Sequence, residues 1–427
     1  MSGDDAMTRA VEAVGAAATE AHRASPSLAT ATDGQIDAAL RAMARLLVEA
    51  AEPVLAANRE DHRAAVAGGM GGGLLDRLRL DEARLREMGD QLLALADIPA
   101  EPARRPVRRL DDDLVVQEWR RPVGVIGANF EARPNVVVDI ASQLVKSRNA
   151  GVLRTGSAAL GSAVALIDHV VAPALAEAGL DPAAVQLLRL PGRESAAALV
   201  RQPRLLPLVI LRGSGESTRS LAEQAALAGV RTLAHADGGA VLYLHPSADR
   251  RRAVELVERS IDRLGVCNRL NLLLVDTAVW DELVPTVLDL FARHEPKITA
   301  SLPPHEHPIG FEWALDDGNE ATVTVAPATG PADAARIANQ ETSGLAAAIV
   351  AEDPAAAAEF LTGYAGTGGF WNATTRLLDG FKLLSVPETG INIDRVPGPR
   401  GPVTFRDLSL RQYVVVPADL AAHLGTE

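Results

Sequence analysis

An α/β protein with a doubly wound parallel sheet and a second α/β domain is the fold class that these 427 residues predict. Three observations carry that expectation. Short β-branched runs recur from residue 123 onward. Ala-rich stretches of helical period separate them, and strand starts fall roughly 20–35 residues apart, the length of a parallel crossover unit. The length itself suggests two to three domains.

Each element follows from local pattern. MSGDDAMTRAVEAVGAAATEAHRA reads as an acidic surface helix without the basic-then-apolar order of a secretion signal. From Gln35 to Ala65 apolar residues return every three or four positions. The run Gly68–Leu74 punctuates this pattern, and LLDRLRLDEARLREMGDQLLALADI resumes it. After Pro106 the texture turns to strand, first in DDLVVQEWRRP. The runs VGVIGA, GVLRT, VQLLRL, LPLVILRG and VRTLAH then give a first sheet. AVLYLH, CNRLNLLLVD, TVTVA and AAAIVAED give a second, around the Pro-rich connection His294–Gly310. The expected boundaries are residues 1–245 for the helical front end and cofactor sheet, 246–365 for the second α/β domain, and 366–427 for a Gly- and Pro-rich return ending in the strand YVVVP.

Composition narrows the function. With 42 basic against 55 acidic residues the net charge is −13, so nucleic acid is not an expected partner. A single cysteine cannot form an internal disulfide, which fits a reducing, cytoplasmic setting. No stretch of about 18 uncharged apolar residues is expected to cross a membrane. The four Trp and nine His show no metal-ligand spacing, and no metal site is expected.

Cys267 precedes a strand and follows a helix studded with Arg251, Arg252, Arg259 and Arg263. Lone cysteines are usually small buried apolar residues. Here the cations and free backbone N–H groups favour a thiolate able to hold an acyl group as a thioester. LVILRGSGESTRSL contains a strand-to-helix turn with Gly213 and Ser214, and GVLRTGSAALGSA a second with Gly156 and Ser157. One such turn is often only a tight βα connection, but two at successive strand ends of one sheet suit a dinucleotide. In EARPN, Arg133 can meet an anionic substrate group, and Asn135 can donate its side-chain amide to an oxyanion. A salt bridge plus a helix cap is the plain alternative for that pair.

The segment RRPVGVIGANFEARPNVVVDIASQLVKSRNAGVLRTG resembles the gamma-glutamyl phosphate reductase (glutamate-5-semialdehyde dehydrogenase) family of proline synthesis, within the aldehyde-dehydrogenase superfamily. VCN at Cys267, NATTR (Asn372 to Arg376) and RGP (Arg400 to Pro402) extend the likeness. The resemblance implies an aldehyde-dehydrogenase-like fold with an oligomerisation arm drawn from residues 107–121 and the C-terminal strand, hence a homo-oligomer. It implies Cys267 as nucleophile with Asn135, and Arg133, Asn268, Arg376 and Arg400 toward a small acyl phosphate or semialdehyde. It also implies NADP (or NAD) held by Arg154, Gly156, Ser157, Gly213, Ser214 and Glu388. The water-activating glutamate of hydrolytic relatives is replaced by Ala236, next to Asp237, which favours acyl transfer to hydride or phosphate. Several family residues differ: Ser157 stands for a lysine, Arg148 for a glycine, and Asn271 for a glutamate. Gly344-Leu345 also departs from the family pattern. These departures leave room for a paralogue acting on another acyl phosphate or thioester, or for a binding subunit without activity. Arg148, Arg154 or Arg212 can replace the missing lysine toward a cofactor phosphate.

Overall fold

The computed structural model describes residues 3–111, 113–213, 215–235, 238–316, 318–394 and 398–421. The helical front end consists of Gly3–Ala29, Asp33–Glu49, Ala51–Ala67, Gly72–Leu78 and Glu82–Asp97. Thr32 and Gln35 form a reciprocal capping box that starts the second helix. Ile36, Leu40, Met43 and Leu47 then line its buried stripe, which packs on Glu82–Asp97.

Strands β1 (Arg104–Asp111) and β2 (Leu114–Pro122) form an antiparallel hairpin, close to the expected 107–121 arm. The next five are β3 (Val125–Phe130), β4 (Ala150–Thr155), β5 (Val185–Leu187), β6 (Leu208–Arg212) and β7 (Arg231–His235). They build an all-parallel sheet in the order β5-β4-β3-β6-β7. Every residue of β3 and β4 is buried, as helix-covered parallel strands require. Chain order reverses at β3, between β4 and β6, and a crevice at such a point is where doubly wound sheets bind ligands.

A second parallel sheet holds β8 (Ala240–Leu244), β9 (Leu270–Asp276), β10 (Thr299–Ser301), β11 (Thr322–Ala328), β12 (Ala346–Val350) and β13 (Gly368–Trp371). Its order is β10-β11-β9-β8-β12-β13. This sheet therefore reaches beyond the expected 246–365 on both sides. It takes β8 from the first region and β13 from the return, because both pair with its central strands. The Pro-rich connection also contributes edge strand β10, too short to show a period in the sequence. In the return, β14 (Gly390–Asn392) pairs with β15 (Gly401–Val403), and β16 (Ser409–Pro417) pairs with β2 over nine register positions.

The helical stretch Ser157–Glu177 is long and apolar enough to cross a membrane, with mean hydropathy 1.7. More than half of its most apolar window is buried inside the protein, so its apolarity serves the core of the first sheet.

Arg148 ends the helix Asn135–Lys146 in the left-handed region, φ 62°, where glycine is at ease. Its guanidinium donates to the carbonyls of Leu28 and Ala31 and pairs with Asp33. Arg148 is thus a brace between front-end helices and is committed away from any cofactor phosphate.

Candidate active site

Cys267 lies in the turn between the helix Arg250–Ser260 and β9, at the helix-to-strand junction the sequence predicts. It is half-buried. The Gly238-Gly239 turn closes over it: Gly239 N–H donates to the Cys267 carbonyl at 3.1 Å. A side chain at Gly238 would stand 2.7 Å from Cys267 Cα and collide with the Glu312 carboxylate, so only glycine fits. Glu312 Oε1 in turn accepts the Gly238 N–H at 2.8 Å. Asn271 fixes that loop from both sides, donating to Phe311 O at 2.7 Å and accepting from Trp313 N at 3.0 Å. The position expected for a glutamate therefore holds an amide that carries a different glutamate, Glu312, toward the thiol.

The charges around Cys267 differ from the expected ones. Arg259 pairs with Glu255, Arg252 with Glu352 and Arg263 with Asp76, all on the surface. The cations that act on the thiol are Arg133 and Arg212. Burial nevertheless pushes the Cys267 thiol up to about 11; Arg133 opposes this, while Glu388 and Glu312 add to it. In this state burial thus works against the thiolate that flanking cations were expected to favour. Burial likewise brings Arg133 down to about 9, and Arg212 and Arg77 add repulsion. Among the described residues neither Arg133 nor Arg212 forms an ion pair or side-chain hydrogen bond. Two cations left without a counter-ion beside a thiol make an anion site.

The EARPN loop carries Arg133 and Asn135. Ala132 has φ 44°, a strained conformation for a residue with a Cβ, and it turns the chain out of β3 into the helix Asn135–Lys146. Asn135 opens that helix, and its Nδ2 donates to Asp139 Oδ2 at 3.0 Å, one turn on. An amide nitrogen carries two hydrogens, so Asp139 takes one and leaves the other to a ligand. Burial pushes the Asp139 carboxyl up to about 6, while Arg212, the Asn135 bond and Arg133 pull it back.

Four expected ligand residues turn out otherwise engaged. Asn268 is buried, donates to Leu378 O at 2.9 Å and accepts from the Arg376 guanidinium. Arg376 also pairs with Asp262 at 2.6 Å. Together they anchor the NATTR loop to the nucleophile turn. Arg400 is exposed and donates to Ala365 O at 2.7 Å. Arg154 is buried and donates to Ser195 Oγ at 3.0 Å, Asn129 Oδ1 at 3.0 Å and Gly192 O at 2.5 Å, bracing β3 and β4. Three of its five N–H donors are thus engaged within the fold.

At the carboxyl ends of the first sheet, Gly156 follows β4 with open space where a side chain would point. Beside it the buried Thr155 hydroxyl has no hydrogen-bond partner among the described residues. Ser157 is exposed at the start of the next helical turn. Gly213 follows β6 and packs on Glu131, which also accepts from Ser217 Oγ at 3.0 Å. Ser214, Ala236 and Asp237 lie outside the described residues. Glu388 accepts the Gly380 N–H and acts on the Cys267 thiol across the cleft.

Sequence reasoning missed Asp139 and Glu312, and it assigned Arg212 to a cofactor phosphate. The i, i+4 spacing from Asn135 was a usable signal for Asp139. Glu312 had none, since its loop is Pro-rich and lies far along the chain.

The model of the aldehyde dehydrogenase family matches residues 5–297. A protein named gamma-glutamyl phosphate reductase from Clavibacter michiganensis is 35% identical over 409 residues, 92% of each chain. The protein of that name from Caulobacter vibrioides is 34% identical over 94% of this chain and 97% of its own. The crystal structure of the Thermotoga maritima gamma-glutamyl phosphate reductase superposes with TM-score 0.84 at 25% identity, covering 94% of this chain and 98% of that one. An acetylating aldehyde dehydrogenase from Geobacillus thermoglucosidasius shares the fold, with TM-score 0.71 at 18% identity over 96% of this chain and 97% of that one.

Proposed function

This chain belongs to the aldehyde dehydrogenase family, in its gamma-glutamyl phosphate reductase branch, and from that premise we propose a thioester route on Cys267. The overall reaction is reduction of gamma-glutamyl phosphate to glutamate-5-semialdehyde and phosphate, with NAD(P)H. The observation that carries the route is the thiol of Cys267 facing two arginines that have no ion-pair partner among the described residues.

Cys267 Sγ attacks the acyl carbon; the sulfur–carbon bond forms as the carbon–oxygen bond to phosphate breaks. Arg133 and Arg212 hold the departing phosphate, which takes up the thiol proton. The free hydrogen of the Asn135 amide, together with backbone N–H groups of the Cys267 turn, holds the developing oxyanion. The unpartnered Thr155 hydroxyl, the open backbone at Gly156 and Ser157, the Gly213 turn and Glu388 fit a dinucleotide laid across the strand ends. When bound, it supplies the hydride that reduces the thioester. Ser157 stands in place of a lysine, and Arg148 and Arg154 bond within the fold, which supports use of NADH as well as NADPH.

Val107, Leu110, Leu410, Tyr413 and Val415 are exposed on the three-stranded arm. Exposed apolar side chains of this kind support a homo-oligomer built through the arm. The test of function is phosphate-dependent reduction of NADP and of NAD by glutamate-5-semialdehyde, beside Cys267→Ala. Activity in the wild type that vanishes in the variant supports the reading; no activity with either cofactor defeats it.

A further inference from the structure

Arg133 and Arg212 act on both the Cys267 thiol and the Asp139 carboxyl, and among the described residues none of the three closes an ion pair. Two positive groups serve the phosphate of a substrate. The negative one is left over. Structural ionic groups in a protein interior are normally paired, because an isolated buried charge is costly. The single hydrogen bond Asp139 receives, from Asn135 at 3.0 Å, leaves its second oxygen uncommitted.

We propose that Asp139 binds the α-ammonium group of the substrate, so that this site selects semialdehydes and acyl phosphates of α-amino acids. The proposal rests on the reading of the site given above and adds the substrate feature that the site recognises.

Dimensions agree. Hydrogen bonds of about 2.9 Å on either side of the Asn135 amide nitrogen place the reacting oxygen about 5 Å from the Asp139 carboxylate. In a five-carbon semialdehyde, three carbon–carbon bonds of about 1.5 Å separate the carbonyl carbon from the α-carbon, which sets the ammonium about 4–5 Å away. One amide thus has the reacting oxygen on one side and the carboxylate that receives the far end of the same molecule on the other. With its carboxyl near 6, Asp139 is mostly ionised at neutral pH, as an ammonium partner must be.

Asp139→Asn tests the proposal cleanly, because the amide still accepts from Asn135 and only the charge is removed. The measurement is kcat/KM for glutamate-5-semialdehyde and for 5-oxopentanoate, the same aldehyde without the amino group, in wild type and variant. The wild type is expected to favour the amino compound by roughly 100-fold, the order of discrimination that an unpaired buried polar group imposes. In the variant that ratio is expected to fall below about tenfold, mainly through KM. An equal loss on both substrates, with the ratio kept, would mean that Asp139 only positions Asn135 and would overturn the proposal. A second measurement needs no variant: L-glutamate is expected to inhibit the wild type at least about tenfold better than glutarate, and equal inhibition overturns the proposal as well. A wild type that turns over neither aldehyde defeats the catalytic reading itself, and is distinguished from these outcomes by that silence.

Discussion

Cys267 sits between opposing influences: burial and the carboxylates Glu388 and Glu312 hold the proton on, while Arg133 and Arg212 draw it off. The balance is a thiol near 11 against an ordinary 9.0. The thiolate is the reactive form, and each unit is a tenfold change in its share below the pKa. Alkylation of the free enzyme by iodoacetamide should therefore run about 100-fold slower at pH 8 than for an ordinary thiol, and should climb steadily through pH 10. Glu388→Gln should speed it and Arg133→Met slow it, each by about tenfold. A plateau near pH 8 would refute this assignment of charges. The residue scale is also where sequence reading was least complete. Cys267, Arg133 and Asn135, on which the proposed route rests, stand out in the sequence because short motifs carry them. Asn268 and Arg376 were misread because a motif does not show which way a polar side chain turns. These two turn toward each other.

Elements were more legible than residues, since strand–helix spacing survives changes in individual side chains. The long runs that became β3, β4, β9 and β11 stand out in the sequence, whereas β10 and β13, at three and four residues, are too short to show a period. Two element junctions make predictions of their own. At the end of the helix Asn135–Lys146, Arg148 gains hydrogen bonds at the expense of a left-handed backbone. Arg148→Ala loses the bonds and keeps the strain, whereas Arg148→Gly loses the bonds and relieves it. Urea unfolding should find the alanine variant less stable by about 1 kcal/mol. At the turn over the nucleophile, Gly238→Ala forces Cys267 or Glu312 to move. A displacement near 1 Å at a reacting centre costs on the order of 100-fold in rate, so kcat should fall that far while the melting temperature changes little. Unchanged kcat would show that the turn yields without moving the thiol.

For the whole molecule, two parallel sheets meet at a cleft, and the return segment crosses back to the first sheet, where β14 packs against β7. On the arm, the exposed apolar residues support the proposed contact with another copy. The double change Leu410→Glu and Val415→Glu should shift the protein toward monomer in light scattering while far-UV circular dichroism is kept. Persistence of the larger species would place the subunit contact elsewhere. Domain boundaries were the least legible feature at this scale. Strands β8 and β13 lie next to the expected cuts, and which sheet they join is decided by pairing partners far away in the chain.

The pairing of β2 with β16 has a consequence in time. Ser409 reaches the ribosome almost three hundred residues after its partner Pro122. At about 5–20 residues per second that interval is roughly 15–60 s. Throughout it, β2 shows a bare edge that invites pairing with other nascent chains. Closure of the arm therefore waits until synthesis has passed Ser409, and a chain broken off before it keeps an open edge for life. The strand Ser409–Pro417 thus closes an edge that a shortened chain would leave open to aggregation or removal.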